Sequence, residues 1–387
     1  MSLAHAPVPD ETSSMSRAQA AASGELRLIS AQQAVDPNFV ERWQTLAASA
    51  SEPNPFFEPW CLIPALKRLH DGATLSLYTL VDGGQLRGLM PVQKSSQYYG
   101  YPIAHSRTWL HSNAFCGAPL VAKGYEQAFW HAVHARLDRK PNRSMFLHLP
   151  QLPDGGPMVE ALDAVAAREG RACVEVDASE RAMLHSDATP EAYLEQSLTK
   201  KRRKELRRLF KRLSECGDLK LEHRDDKQDI LEWITEFLEL EAAGWKGEAG
   251  SALANRQTTS EFFRETLLRA AKAGRLERLA LRLDGRAVSM LANFVTPPGV
   301  FSFKTTFDED YARFSPGLLL QIENLALLDR DEFQWADSCA SEGHPMIERL
   351  WREKRRIVSR NVAIGGSLRR TVAKGLMAYE TRGRSAG

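Results

Sequence analysis

The chain has 387 residues, 43% hydrophobic and 26% charged, with a formal net charge of +2. That length holds two domains of ordinary size, and that composition belongs to a folded globular protein, not to a disordered or fibrous one. A charge balance so near neutral argues against a general nucleic-acid coat. Five scattered cysteines include no CxxC pair, which signals neither zinc nor a disulfide framework and fits a reducing cytoplasm. No run of 18 apolar residues is present to span a bilayer.

Residues 1–24 are polar, rich in Ala, Ser and Pro, and lack the apolar core of a secretory signal; they are expected to be a disordered lead. The first strand is expected at "ELRLIS" (25–30), followed by a helix over 38–49. "SEPNPFFEPW" (51–60) is a Pro-rich turn before a helix ending near Arg68. "TLSLYTLVDGGQLRGLMPVQ" (74–93) reads as two strands around Asp82-Gly83-Gly84, a hairpin signal. Helices are expected over 128–139 and 157–170, and strands over 144–150 and 172–177.

A basic segment comes next. In "LTKKRRKELRRLFKRL" (198–213), nine of the thirteen residues from Lys200 to Arg212 are Lys or Arg. Leu206, Leu209, Phe210 and Leu213 form one apolar stripe at helical spacing. Thr189-Pro190 supplies a start and Gly217 a stop, which predicts one long amphipathic helix. Its basic face is either solvated and balanced by the acidic stretch Asp225–Glu241, or held against a phosphate-bearing ligand, a nucleic acid or an anionic membrane.

Past this helix the pattern repeats. Helices are expected over 226–245 and 260–274, then a second strand–Asp-Gly–strand hairpin over 275–295. Strands at 299–308, 332–339 and 357–364 alternate with helices at 316–328 and 344–356. One α/β unit used twice, joined near residues 178–190, accounts for the order. The divisions are a lead (1–24), an N-terminal domain (25–180), a C-terminal domain (181–370) and a flexible basic tail (371–387).

"FKTTFDEDYARFSPGLLLQIENL" (303–325) carries the most chemistry. A strand ends, a charged loop follows, and a helix starts with Ser315 at the N-cap, Pro316 at the first position and Gly317 beside it. Free N–H groups and the positive end of the helix dipole make such a mouth an anion site, with Arg313 just upstream. Plain helix capping is the alternative. The order hairpin, strand, anion loop, helix, strand resembles the GNAT acyltransferase fold. "NPFFEPWCL" (54–62), "KKRRKELRRLFKRL", "LEAAGWKG" (240–247), "LRLDGRAVSMLANF" (281–294), "FKTTFDEDYARFSPGLLL" (303–320) and "HPMIERLWREKRR" (344–356) are together similar to the CelD-like GNAT family. Its members also resemble the Fem-type aminoacyl transferases.

The resemblance implies an α/β fold of two tandem GNAT-like domains, each a mixed twisted sheet flanked by helices. It implies an N-acyltransferase taking its acyl group from acyl-CoA, or from another carrier, with no metal. The donor's pyrophosphate falls to Arg313, Ser315, Gly317 and Leu318, although Arg313-Phe-Ser-Pro-Gly317 has one glycine where the usual GNAT loop has two small residues. Asp337, His344, Lys304 and Glu342 are the candidates for proton handling. The tyrosine many GNAT enzymes use as an acid is replaced here by Trp351. Arg202, Arg203, Arg207, Trp245 and Lys246 are expected to hold the acceptor, an amine-bearing envelope precursor. That acceptor is either an amino sugar of an exopolysaccharide or a long-chain amino lipid such as the sphingoid base of a sphingolipid. The expected location is cytoplasmic, peripheral at an anionic membrane surface, with no nucleic-acid partner. The alternative from another class is a non-catalytic, anion-sensing subunit of a polysaccharide synthesis system.

Overall fold

A computed structural model describes residues 24–70, 72 and 74–382. The lead expected over residues 1–24 lies outside them except for Gly24. The described residues build one mixed sheet flanked by helices. The first half of the chain supplies β1 (Glu25–Ile29), β2 (Leu75–Asp82), β3 (Gln85–Ser95), β4 (His105–Thr108), β5 (Leu120–Val121), β6 (Phe146–Pro153) and β7 (Cys173–Leu184). The second supplies β8 (Leu219–Arg224), β9 (Leu276–Leu283), β10 (Arg286–Thr296), β11 (Gly299–Phe307), β12 (Trp335–Asp337) and β13 (Glu353–Ala363). Across the sheet the order is β1-β2-β3-β4-β6-β13-β7-β12-β11-β10-β9-β8, with β5 beside β3.

Both expected hairpins are present, β2–β3 turning at Asp82 and β9–β10 at Asp284. In each half a strand parallel to the next follows the hairpin, β4 to β6 and β11 to β12. The halves then exchange their last strands. β7 lies between β12 and β13, and β13 lies between β7 and β6, every one of these pairings antiparallel. The largest apolar core crosses the join: the Phe56 ring packs edge-on against Phe115 of the first half and Phe294 and Phe301 of the second. Helix Pro59–Arg68 lies against helix Gln257–Lys272, where Arg68 pairs with Glu261.

Three expected elements fold differently. The helix predicted over 344–356 is a short 3-10 turn, Ile347–Arg349, followed directly by β13. Its spacing suits a helix, but residues 353–356 alternate between half-buried and exposed and are hydrogen-bonded to β7. Their cations find partners from the sheet position, Lys354 with Glu348 at 2.6 Å and Arg355 with Asp337 at 3.0 Å. The long helix from Thr189 breaks at Leu198, whose backbone is extended. Two helices result, Pro190–Ser197 and Lys200–Ser214, and each is capped by a threonine hydroxyl accepting an N–H at 3.3 Å, Thr189 from Ala192 and Thr199 from Arg202. The tail is helical over Ser367–Thr381, where a flexible end was expected. Ala373 and Met377 bury against Tyr98 and Phe146, and Glu380 accepts the Tyr98 hydroxyl at 2.7 Å.

Candidate active site

β11 and β12 pair over three positions, from Gly299–Trp335 to Phe301–Asp337. β11 continues alongside β10 to Phe307, while the chain after Asp337 turns away. That turn is fixed by the Asp337 carboxylate, which accepts the Cys339 N–H at 2.9 Å with Cys339 in the left-handed region (φ 53°). The sheet therefore opens as a V between β11 and β12. In the first half the chain fills the matching place itself. Gly117 donates to the Gln151 carbonyl at 2.8 Å, and Asn54 Nδ2 donates to the carbonyls of Cys116 and Ala118 at 3.1 and 2.7 Å. A Cβ at Gly117 would lie 2.0 Å from the Pro150 oxygen, so only glycine permits this closure.

The open V holds a cleft of about 850 Å³. Its walls are the end of β11 (Thr305–Phe307), the mouth of helix Pro316–Glu323, the segment His344–Leu350, the turn Gly244–Lys246, and Leu198 with Arg202. The turn explains the "GWKG" sequence: a Cβ at Gly247 would lie 1.8 Å from the Ala242 oxygen. Lys246 Nζ donates to the buried Glu241 carboxylate and to the Thr305 carbonyl, both at 2.9 Å. Glu241 also accepts the Leu253 N–H at 2.8 Å, and Trp245 N–H donates to Glu309 at 2.6 Å. Trp245 itself is 56% exposed, at the rim.

Of the residues expected in the site, the cleft brings together His344, Ser315, Gly317, Leu318, Arg202, Trp245 and Lys246. His344 is half-buried, and its Nδ1 is buried without a hydrogen-bond partner from another residue. Burial, assisted by the nearby Lys246 charge, pushes its pKa below the usual histidine value, so the ring is neutral at pH 7. Ser315 sits at the N-cap with a left-handed backbone (φ 54°), but its hydroxyl does not cap. Its carbonyl takes the Leu318 and Leu319 N–H groups at 3.0 and 3.1 Å. Pro316 has no N–H, which leaves the Gly317 N–H as the donor at this helix mouth.

The other expected residues lie elsewhere. Asp337 is fully buried, held by Arg181 of β7 at 2.8 Å and Arg355 of β13 at 3.0 Å. It bonds the join between the halves and does not reach the cleft. Glu342 is exposed on the loop before His344 and does not line the cleft. Lys304 is half-buried at the apex of the V, its ammonium 5.4 Å from the Phe115 ring centre and 5.5 Å from that of Phe303. Burial and the nearby Lys246 charge push its pKa down to about 8. Arg313 lies outside the lining, exposed and stacked over Phe314 at 4.8 Å. Arg203 and Arg207 face a separate groove on the other flank of helix Lys200–Ser214. Sequence reasoning missed Arg349 and Met346 as lining residues, because it placed them in a helix, and it read Glu241 as a neighbour of the basic helix. The "GWKG" turn was the signal that could have placed Glu241, five residues before Lys246. Among the described residues no cluster of His, Cys, Asp and Glu could hold a metal.

Residues 200–344, from the basic helix to the cleft histidine, match the family described as the acetyltransferase (GNAT) domain. Among curated proteins none matches the sequence. Several solved structures share the fold at low identity. FemX is 11% identical with a TM-score of 0.56, covering 91% of this chain and 100% of its own. L-PGS from Bacillus licheniformis is 11% identical with a TM-score of 0.54, covering 90% of this chain and 98% of its own. A protein of unknown function from Bacteroides thetaiotaomicron is 12% identical with a TM-score of 0.53, covering 84% and 97%. Residues 200–344 thus resemble a GNAT acetyltransferase domain, and the chain shares its fold with FemX.

Proposed function

We propose that this protein is an N-acyltransferase that moves an acyl group from acyl-CoA to an amine-bearing precursor of the cell envelope. The observation that carries the reading is the cleft itself. It lies past the point where β11 and β12 stop pairing, between the end of β11 and the segment His344–Leu350, and its walls include both a helix mouth and a neutral histidine. The donor's pyrophosphate lies against the Gly317 N–H with Arg202 and Arg349, the arginines of the lining, supplying charge-assisted contacts. The apolar wall of Phe307, Leu318, Met346 and Leu350 takes the donor's uncharged portion.

The amine arrives as its ammonium, and His344 takes one proton from it. The freed lone pair attacks the thioester carbonyl, the C–S bond breaks as the tetrahedral intermediate collapses, and the thiolate leaves. No tyrosine lines the cleft among the described residues. The imidazolium of His344 therefore returns its proton to the thiolate, and the second proton on the attacking nitrogen passes to solvent as the intermediate collapses, which balances the reaction as amide, free thiol and one released proton. Burial, with the charge of Lys246 fixed by Glu241 and Thr305, keeps the imidazole neutral between turnovers. Envelope chemistry rests on the likeness of the sequence to the CelD-like and Fem-type proteins.

The test is turnover of acyl-CoA of several chain lengths with a panel of amino sugars, sphingoid bases and simple amines. Release of free thiol should match amide formed. No turnover with any pair, together with no CoA binding by calorimetry, would discard the reading in favour of an aminoacyl-tRNA donor or a non-catalytic subunit.

A further inference from the structure

Helix Lys200–Ser214 buries Leu206, Leu209 and Leu213 and turns Lys200, Lys201, Lys204, Arg207, Arg208 and Lys211 outward. Two of its cations have carboxylate partners among the described residues: Arg202 with Glu205 at 2.8 Å and Arg203 with Glu195 at 3.2 Å. Part of the acidic stretch that could have balanced the rest is committed elsewhere. Asp226 pairs with Arg278 at 3.0 Å, Glu236 with Arg282 at 2.9 Å and Glu241 with Lys246 at 2.9 Å. The outer face is thus a row of exposed cations, with Glu205 the one carboxylate within Lys200–Ser214, on a molecule whose net charge is +2.

The surroundings say what such a row fits. On one flank the helix borders the main cleft through Leu198 and Arg202. On the other it borders an apolar groove of about 410 Å³, floored by Leu194, Leu206, Leu319 and Ile322, where the Phe210 ring is 40% exposed. Glu191, Glu195 and Glu323 also line this groove, so anion binding belongs to the outer face of the helix and not to the groove. Single-stranded nucleic acid is gripped by basic residues interleaved with aromatic platforms, and Phe210 is the aromatic of this helix. A straight, convex row of lysines and arginines with an apolar ring at its edge matches a flat array of lipid phosphates instead.

We infer that the outer face of helix Lys200–Ser214 docks the protein on an anionic lipid bilayer, with Phe210 at the interface and the mouth of the main cleft beside the membrane surface. The inference concerns binding and stands apart from the chemistry proposed for the cleft. The test is co-sedimentation of the full chain with phosphatidylcholine vesicles, with and without phosphatidylglycerol. It compares wild type with Lys204→Gln/Arg208→Gln/Lys211→Gln. Glutamine keeps helix propensity, and these side chains are exposed, so circular dichroism and thermal unfolding should be unchanged. Each cation near an anionic surface contributes about fivefold in partitioning, so the triple variant should bind about a hundredfold more weakly. Wild-type binding should need phosphatidylglycerol and fade with added salt. Equal binding of wild type and variant, equal binding to neutral vesicles, or tighter binding of a single-stranded oligonucleotide than of anionic vesicles would overturn the inference.

Discussion

His344 faces the cleft with a buried, unpartnered Nδ1 and a pKa held below the usual histidine value by burial and by Lys246. As the proposed base of an acyl transfer it should make kcat rise with pH through that lowered pKa and level off near neutrality. His344→Gln should remove this acid limb and lower kcat by about 10²–10⁴, read from pH–rate profiles at saturating donor. The same shift has a stability sign. The fold favours the neutral ring, so stability is lost as pH falls from the unfolded value of 6.5 toward the lowered native one, and the glutamine variant should be less acid-sensitive in that window. Asp337 behaves differently. Removing its charge takes the carboxylate partner from buried Arg181 and leaves Arg355 with Glu52 alone at 3.6 Å, so Asp337→Asn should cost about 3–5 kcal/mol in denaturant unfolding. Wild-type stability in that variant would show that the join does not depend on this pair. His344 was expected beside the start of a helix that the structure replaces with the short turn Ile347–Arg349. Asp337 looked similar at a strand end, and only the two arginines brought to it from strands β7 and β13 separate the roles.

At the scale of elements, the hairpins, the helix mouth at Pro316 and the basic helix were legible, because periodicity and turn residues act locally. The segment after His344 was not. "HPMIERLWREKRR" has helical spacing, but β7 and β6 offer a two-sided berth whose hydrogen bonds outweigh local preference. That choice changes the lining of the cleft. With residues 347–349 in a short turn, Arg349 joins the cleft, while Arg313 stacks on Phe314 outside it. Arg349→Ala should weaken CoA binding in calorimetry by about 1.5–3 kcal/mol, and Arg313→Ala should leave it near wild type. The reverse pattern would return the pyrophosphate to the loop upstream of Ser315.

For the whole molecule, the exchange of last strands makes the two halves one cooperative body. β6 and β7 are bridged by β13, which is the last strand of the chain. Truncation after Leu350 should therefore unfold the first half as well as the second, seen as loss of the single thermal transition and of soluble protein. A truncated chain that keeps a folded, cooperatively melting N-terminal half would show that the exchange is dispensable. The sequence by itself determined the α/β class, the repeated hairpin plan, the helix mouth and the uncommon concentration of basic residues, all set by spacing and by contacts a few residues apart. The tertiary structure alone decided which opening in the sheet stays open, since Gly117 and Asn54 close one and the turn after Asp337 frees the other. It also decided where β13 pairs and which carboxylates pair away from the basic helix. Those outcomes depend on partners far apart in the chain, and no local pattern encodes which distant partner wins.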